Sequence, residues 1–231
     1  MYDLLCPGCG HRTAMILIDN IIETKKLKEK VVMMFDVACC SLLIDFVNYD
    51  SVMCAHGRVL DVTKGYKEMR KENIVVSYMG DGAAYSIGIE EMIHAARRND
   101  DAIVIVINNG LYAMTGGQIS PTNVGAMCHN SRGERECSGE YCEPFHIENV
   151  IGNFPISYFS RAALSDKDNI DLAKKYMEKV FDNYIKFGGF NMIELLSPCP
   201  TNYKLSPKDM SDKINNEWSK VYKIGELVNN V

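Results

Sequence analysis

The sequence predicts an α/β fold: a doubly wound, mostly parallel sheet with helices on both faces. Three observations predict it. Short β-branched runs alternate with longer amphipathic stretches along the 231 residues, the pattern of strand–helix repeats. Two of those runs, 74–79 and 102–107, are almost wholly apolar, as strands covered on both faces must be. A Gly80-Asp81-Gly82 turn directly follows the first of them, where a strand hands over to a helix.

Taken in order, residues 13–24 read as a helix after a glycine-containing opening, and 31–35 and 51–54 as strands. Residues 61–71 read as a helix, 74–79 as a strand, 86–97 as a helix and 102–107 as a strand. Segment 125–144 is polar and rich in Gly, Cys and charge, and reads as a long loop of the kind that is usually functional or mobile. Strands are expected at 156–159 and 191–195, a helix at 169–186, and a C-terminal helical extension from about 207. No repeat or low-complexity tract interrupts this series, so 1–231 is expected to be a single domain. The methionines among these elements read as core filler.

A net charge of -5 argues against nucleic acid as the main partner, since phosphate binding calls for basic surface. No apolar run approaches the roughly 20 residues that span a bilayer, and residues 1–10 show no basic-then-apolar leader. A cytoplasmic location is the expectation. Nine cysteines are many for that compartment, where clustered thiols more often serve metal or redox chemistry than disulfides.

The sharpest signal is Gly80-Asp81-Gly82 followed, one helix and one strand later, by Asn108-Asn109-Gly110-Leu111. Both motifs fall at carboxyl ends of neighbouring strands, where open α/β sheets bind ligands. The glycines let backbone approach a diphosphate, and the next helix offers its first N–H groups. Asp81 and the Asn109 side-chain oxygen are hard donors suited to Mg²⁺. Either motif alone would read as a tight turn or a strand cap; the pairing at matched strand ends favours the ligand reading.

GDG followed by NN at this distance resembles the thiamine-diphosphate motif. The continuation Asn108 to Thr122, NNGLYAMTGGQISPT, resembles the beta subunits of 2-oxoacid:ferredoxin oxidoreductases. So do Cys6-Pro7-Gly8-Cys9-Gly10-His11, His56-Gly57-Arg58 and Ser197-Pro198-Cys199-Pro200-Thr201. The resemblance implies the diphosphate-domain type of thiamine-diphosphate fold. It implies cofactor contacts from Gly80, Asp81, Gly82, Asn109, Leu111, Thr115 and Ser41, with Asp81, Asn109 and the Leu111 carbonyl holding Mg²⁺. Ala83 and Ala113 depart from the family's usual acidic residue and glycine, without removing a metal ligand.

Cys6-x-x-Cys9 alone could hold zinc, work as a redox pair or be inert. The resemblance supplies two further thiolates, Cys40 and Cys199, completing a [4Fe–4S] set. Cys39 competes with Cys40, which is chosen because Ser41 follows it as in the family. Cys54 reads as a core thiol. Cys128, Cys137 and Cys142, with His129, match no trusted metal spacing. His56 is expected near the cofactor in a catalytic role, against the alternative of a plain turn; His11 reads as a local hydrogen-bonding residue.

The family reaction is oxidative decarboxylation of a 2-oxoacid to an acyl-CoA, with electrons leaving through the cluster to ferredoxin. No pyrimidine-binding half and no ferredoxin-type cysteine set appear in the sequence, so the resemblance implies a pyrimidine-domain (alpha) partner and gamma and delta subunits. A non-oxidative thiamine enzyme subunit and a non-catalytic zinc subunit are the alternatives. For the substrate pocket, Met114 and Gly116 are the candidates. Some family members carry Lys at position 116, and its absence leaves this wall apolar and small. The expectation is therefore a branched-chain 2-oxoacid, with 2-oxoglutarate as runner-up.

Overall fold

The computed structural model describes residues 4–125 and 143–231. The possible site at Cys128, His129, Cys137 and Cys142 lies outside the described residues. The chain runs α1 (Gly10–Thr24), β1 (Val31–Asp36), a 3₁₀ turn (Cys39–Phe46), β2 (Ser51–Cys54), α2 (Val59–Met69) and β3 (Ile74–Gly80). A π-helical turn (Ala83–Ile87) leads into α3 (Ile89–Arg98), then β4 (Ala102–Asn108) and a two-rung hairpin, β5 (Leu111–Tyr112) and β6 (Gln118–Ile119). After the short α4 (Glu148–Ile151) come β7 (Tyr158–Ala163), α5 (Lys167–Phe187), β8 (Phe190–Leu196) and α6 (Pro200–Tyr203). The chain closes with α7 (Pro207–Lys213), a π turn (Ile214–Trp218), α8 (Ser219–Val221) and β9 (Gly225–Asn229).

Seven strands form one sheet in the order β2-β1-β3-β4-β8-β7-β9. Six run parallel; β9 pairs antiparallel with β7. Parallel strands need crossovers that cover both faces, and the buried side chains sort accordingly. Val31, Met33, Phe35, Val76, Tyr78, Ile105 and Ile193 pack beneath α1 and α5. Val32, Met34, Val75, Val104, Val106 and Met192 pack beneath α2 and α3. A smaller cluster of Met210, Ile214, Trp218 and Tyr222 fastens the C-terminal helices over Ala163 and Leu196.

Two expectations need correction. The strand expected at 156–159 runs over Tyr158–Ala163, because Arg161, polar in sequence, is buried as an ion pair. The extension from about 207 is helical only as far as Val221; its last part is the edge strand β9. Among the described residues no helix is long and apolar enough to cross a membrane.

One topological fact positions the site. From β1 the chain crosses to β2 on one side, then returns to β3 on the other. The β1–β3 border is therefore a switch point, where diverging connections leave a crevice beyond the carboxyl ends of the strands.

Candidate cofactor and cluster site

A cavity of about 290 Å³ opens at that crevice. Its walls come from the end of four strands: Val37–Cys40 after β1, His56 after β2, Gly80–Ala83 after β3, and Asn109 with Leu111–Thr115 after β4. The two sequence motifs thus meet as expected, on strands paired in parallel with Gly80 opposite Ile107.

Asp81 is the charged centre of this wall. It is 1% exposed. One carboxylate oxygen accepts from the Asn109 backbone N–H at 3.3 Å; the other accepts from the hydroxyls of Ser120 and Thr122. Burial still pushes its pKa up to about 6, against the lowering by those three donors. A carboxylate buried in this way would be favoured in its ionised form by a neighbouring cation. Beside it the Asn109 side-chain oxygen accepts from the Leu111 N–H at 3.0 Å, closing the turn that carries the Leu111 carbonyl. A side chain at position 82 would sit 2.5 Å from the Tyr112 ring, so only glycine lets β5 lie against the turn. These donors fit Mg²⁺, and the backbone turn beside them fits a diphosphate. Nothing in the sequence marks Ser120 and Thr122 as supports for Asp81, because they lie 39 and 41 residues beyond it.

A second, smaller cavity of about 130 Å³ adjoins the first. Cys6, Cys9, Cys39 and Cys199 all line it. The segments that carry them are tied together: the Gly10 N–H donates to the Pro198 carbonyl at 3.3 Å, and the Asn202 side-chain N–H contacts the Cys199 sulfur at 3.4 Å. Burial raises Cys9 to about 12 and Cys39 to about 11, and in both the neighbouring thiols of the set add to the shift. Among the described residues no three His, Cys, Asp or Glu side chains converge closely enough for a single metal ion. Four thiols spaced around a common cavity are a donor set of the number a four-iron cluster takes, one thiolate to each iron.

Cys40 does not line this cavity. It is 1% exposed, packs into the core beneath α1, and donates its S–H to the Asp36 carbonyl at 3.2 Å. Adjacent residues in the 3₁₀ turn diverge, and Cys39 is the one directed to the other thiols. Ser41 is also kept from the cofactor cavity, because its hydroxyl closes the turn on the Ala38 carbonyl at 2.8 Å. Met114 and Thr115 stand on the cavity wall, Met114 being 47% exposed. Gly116, with φ +117°, lies just beyond it. His11 borders both cavities; its Nδ1 meets the Tyr78 hydroxyl at 3.0 Å, and burial lowers its pKa to about 4, so it stays neutral. Four residues line both cavities: His11, Cys39, Asn109 and Ala113.

Residues 36–194 match the family described as "Thiamine pyrophosphate enzyme, C-terminal TPP binding domain"; thiamine pyrophosphate and thiamine diphosphate are the same compound. The chain is 30% identical to ketoisovalerate oxidoreductase subunit VorA of Methanothermobacter thermautotrophicus, over 95% of its own length and 46% of that protein. It is likewise 30% identical to the 2-oxoacid:ferredoxin oxidoreductase subunit beta of Saccharolobus solfataricus, over 96% of its length and 68% of that protein. It therefore spans less than half of the VorA relative. Among solved structures, 2-oxoglutarate:ferredoxin oxidoreductase from Magnetococcus marinus, with 2-oxoglutarate, coenzyme A and succinyl-CoA bound, superposes with a TM-score of 0.72. That match is 24% identical and covers 87% of this chain and 66% of the other.

Proposed function

Because the chain belongs to the thiamine pyrophosphate enzymes, and among them to the 2-oxoacid:ferredoxin oxidoreductase beta subunits, we propose that it is the diphosphate-binding subunit of an assembly that oxidatively decarboxylates a 2-oxoacid to its acyl-CoA and passes the electrons to ferredoxin. The observation that carries this reading is the shared wall between the two cavities. A cofactor held at Asp81 and a cluster held at the cysteines would lie one residue layer apart.

Asp81, the Asn109 side chain and the Leu111 carbonyl would hold Mg²⁺, and Gly80 to Ala83 would receive the diphosphate. Bound thiamine diphosphate supplies the carbon nucleophile and the electron sink that decarboxylation needs. Ser120 and Thr122 fix Asp81 in place, and the burial of this wall would strengthen its hold on a bound cation. Cys6, Cys9, Cys39 and Cys199 would hold the [4Fe–4S] cluster. Cys39 takes the place expected for Cys40, since its neighbour's thiol is engaged in the core. A bound cluster supplies one-electron acceptance, which zinc could not.

The open side of the cavity would be closed by a pyrimidine-domain subunit, with gamma and delta subunits, coenzyme A and ferredoxin as further partners; paired copies related by a twofold axis are the expected arrangement. Met114, Ala113 and the missing cation at Gly116 favour a branched-chain 2-oxoacid, because the distal carboxylate of 2-oxoglutarate would go unpaired on this wall. The test is anaerobic purification of the assembled complex, with measurement of thiamine, iron, sulfide and zinc. Dye reduction that requires both a 2-oxoacid and coenzyme A supports the reading. Zinc in place of iron, or no 2-oxoacid-dependent reduction, overturns it.

A further inference from the structure

Asp36 ends β1 and His56 follows β2, the strand paired with it in parallel, with Asp36 opposite Cys54. The His56 Nδ1 lies 2.6 Å from one Asp36 carboxylate oxygen, and the Gly57 N–H donates to the other at 2.8 Å. Asp36 is 0% exposed, whereas the His56 side chain is 31% exposed and lines the cofactor cavity. The arrangement is built, not incidental. Gly57 has φ +75°, and a side chain there would meet Ile87 at 2.7 Å and the Gly88 nitrogen at 2.9 Å. Arg58 is pinned to Glu91 and Glu90 of α3. The two residues that follow His56 are therefore both held against the π turn and α3.

Resting on the functional reading above, we propose that His56 accepts the proton of the coenzyme A thiol, and that Asp36 is its positioning residue. The proton balance of the reaction calls for such a group. A 2-oxoacid anion and a thiol give a thioester, carbon dioxide, two electrons and one proton. The C–C bond to the carboxylate breaks and the C–S bond forms. The electrons leave through the cluster to ferredoxin, and the released proton is the thiol's. A carboxylate facing Nδ1 holds the neutral imidazole's proton there and leaves Nε2 with a free lone pair. This is the orienting role that an aspartate plays beside a general-base histidine.

The other titratable groups on the cavity wall have different engagements. Asp81 faces the metal position, and Cys39 faces the other cysteines. Cys40 donates to a backbone carbonyl, and His11 is 3% exposed against Tyr78. The Tyr112 ring, on β5, packs against the Gly82 turn. His56, part-exposed on the cavity wall, is left as the base.

Two measurements test this. In the full chain, labelled with ¹⁵N in its five histidines, the His56 resonance is assigned by its loss in His56→Gln. It should show Nδ1 protonated and Nε2 bare at pH 8, and Asp36→Asn should shift it towards the mixed tautomers of a free imidazole. An Nε2-protonated ring, or a spectrum unchanged in Asp36→Asn, overturns the positioning role. In the assembled complex, His56→Gln should lower coenzyme-A-dependent turnover about 100-fold more than it lowers electron release by the 2-oxoacid without coenzyme A. Equal losses in the two steps would overturn the thiol assignment. A wild-type complex that no 2-oxoacid reduces would overturn the functional reading, an outcome the tautomer measurement distinguishes from failure of the dyad.

Discussion

Arg161 and Glu194 face each other across neighbouring parallel strands, Nε to carboxylate 2.5 Å, and neither side chain is more than 1% exposed. The guanidinium also binds Glu148, at 2.6 Å, and stacks over the Tyr222 ring at 4.9 Å. The other Glu194 oxygen accepts from the Asn108 side chain at 2.7 Å, and the Asn108 oxygen accepts from the Gly110 N–H at 3.2 Å. A buried ion network thus braces the turn that carries Asn109 and Leu111, the proposed metal donors. Removing one member of such a network strands the others without a partner. Arg161→Met should cost about 3–5 kcal/mol, seen as a lowered Tm.

The same network predicts an acid limb. Burial works to raise Glu148, but the Arg161 guanidinium outweighs it and holds the carboxyl at about 2. A depressed acid contributes stability above its ordinary pKa and loses it as pH falls towards the folded value. Thermal melts between pH 5 and pH 2 should show this loss in the wild type. Glu148→Gln should be less stable at pH 7 and show a shallower decline over the same range.

Asp81 carries the opposite sign. Its pKa is raised to about 6 by burial, so ionising it works against folding as pH rises from the ordinary carboxylate range through about 6. A bound divalent cation reverses that by favouring the ionised form. Mg²⁺ affinity in the presence of thiamine diphosphate should therefore fall as pH drops below about 6, by up to about tenfold per pH unit. Asp81→Ala should abolish Mg²⁺-dependent cofactor binding in calorimetry while leaving a cooperative thermal unfolding transition.

The neighbouring cysteines separate cleanly. Cys39→Ser should lose the broad visible absorbance and about four irons per chain, whereas Cys40→Ser and Cys54→Ser should keep them. Iron and sulfide analysis of reconstituted protein decides it; a colourless Cys40→Ser with a coloured Cys39→Ser would reverse the assignment.

For the substrate, kcat/KM in the assembled enzyme should favour 2-oxoisovalerate over 2-oxoglutarate. Gly116→Lys should move the ratio towards 2-oxoglutarate by restoring a cation beside Met114 and Thr115. A wild-type preference for 2-oxoglutarate would place specificity on the partner subunit.

Some of this was legible in the sequence because the relevant signals are local. The runs 74–79 and 102–107 stand out as apolar on both faces and appear as β3 and β4, one residue longer each. The rest depended on partners far along the chain. Nothing near Arg161 tells a buried ion from a surface one, so the strand expected at 156–159 begins two residues before β7 and stops four short of its end. Gly225–Asn229 is a half-exposed edge strand without alternation, and only its pairing with β7 makes it one. Asp36 carries no signal of its own in the sequence, because His56, its partner, is 20 residues away. Cys39 and Cys40 are chemically identical in sequence, and only the turn's backbone sends them in different directions.

The π-helical turn Ala83–Ile87, closed by the Gly88 N–H donating to the Ala83 carbonyl at 2.7 Å, also has an angular consequence. Such a turn is an α-helix with one residue inserted. Each residue advances an α-helix by about 100°, so the insertion sets the rotational phase of all of α3 relative to the Gly80-Asp81-Gly82 turn. In the phase observed, Glu91 is turned inward to Arg58 and Met92 into the core, while Glu90 faces solvent. Deleting one residue between 83 and 87 would regularise the helix and rotate it, carrying Glu91 away from the arginine that clamps the turn behind His56.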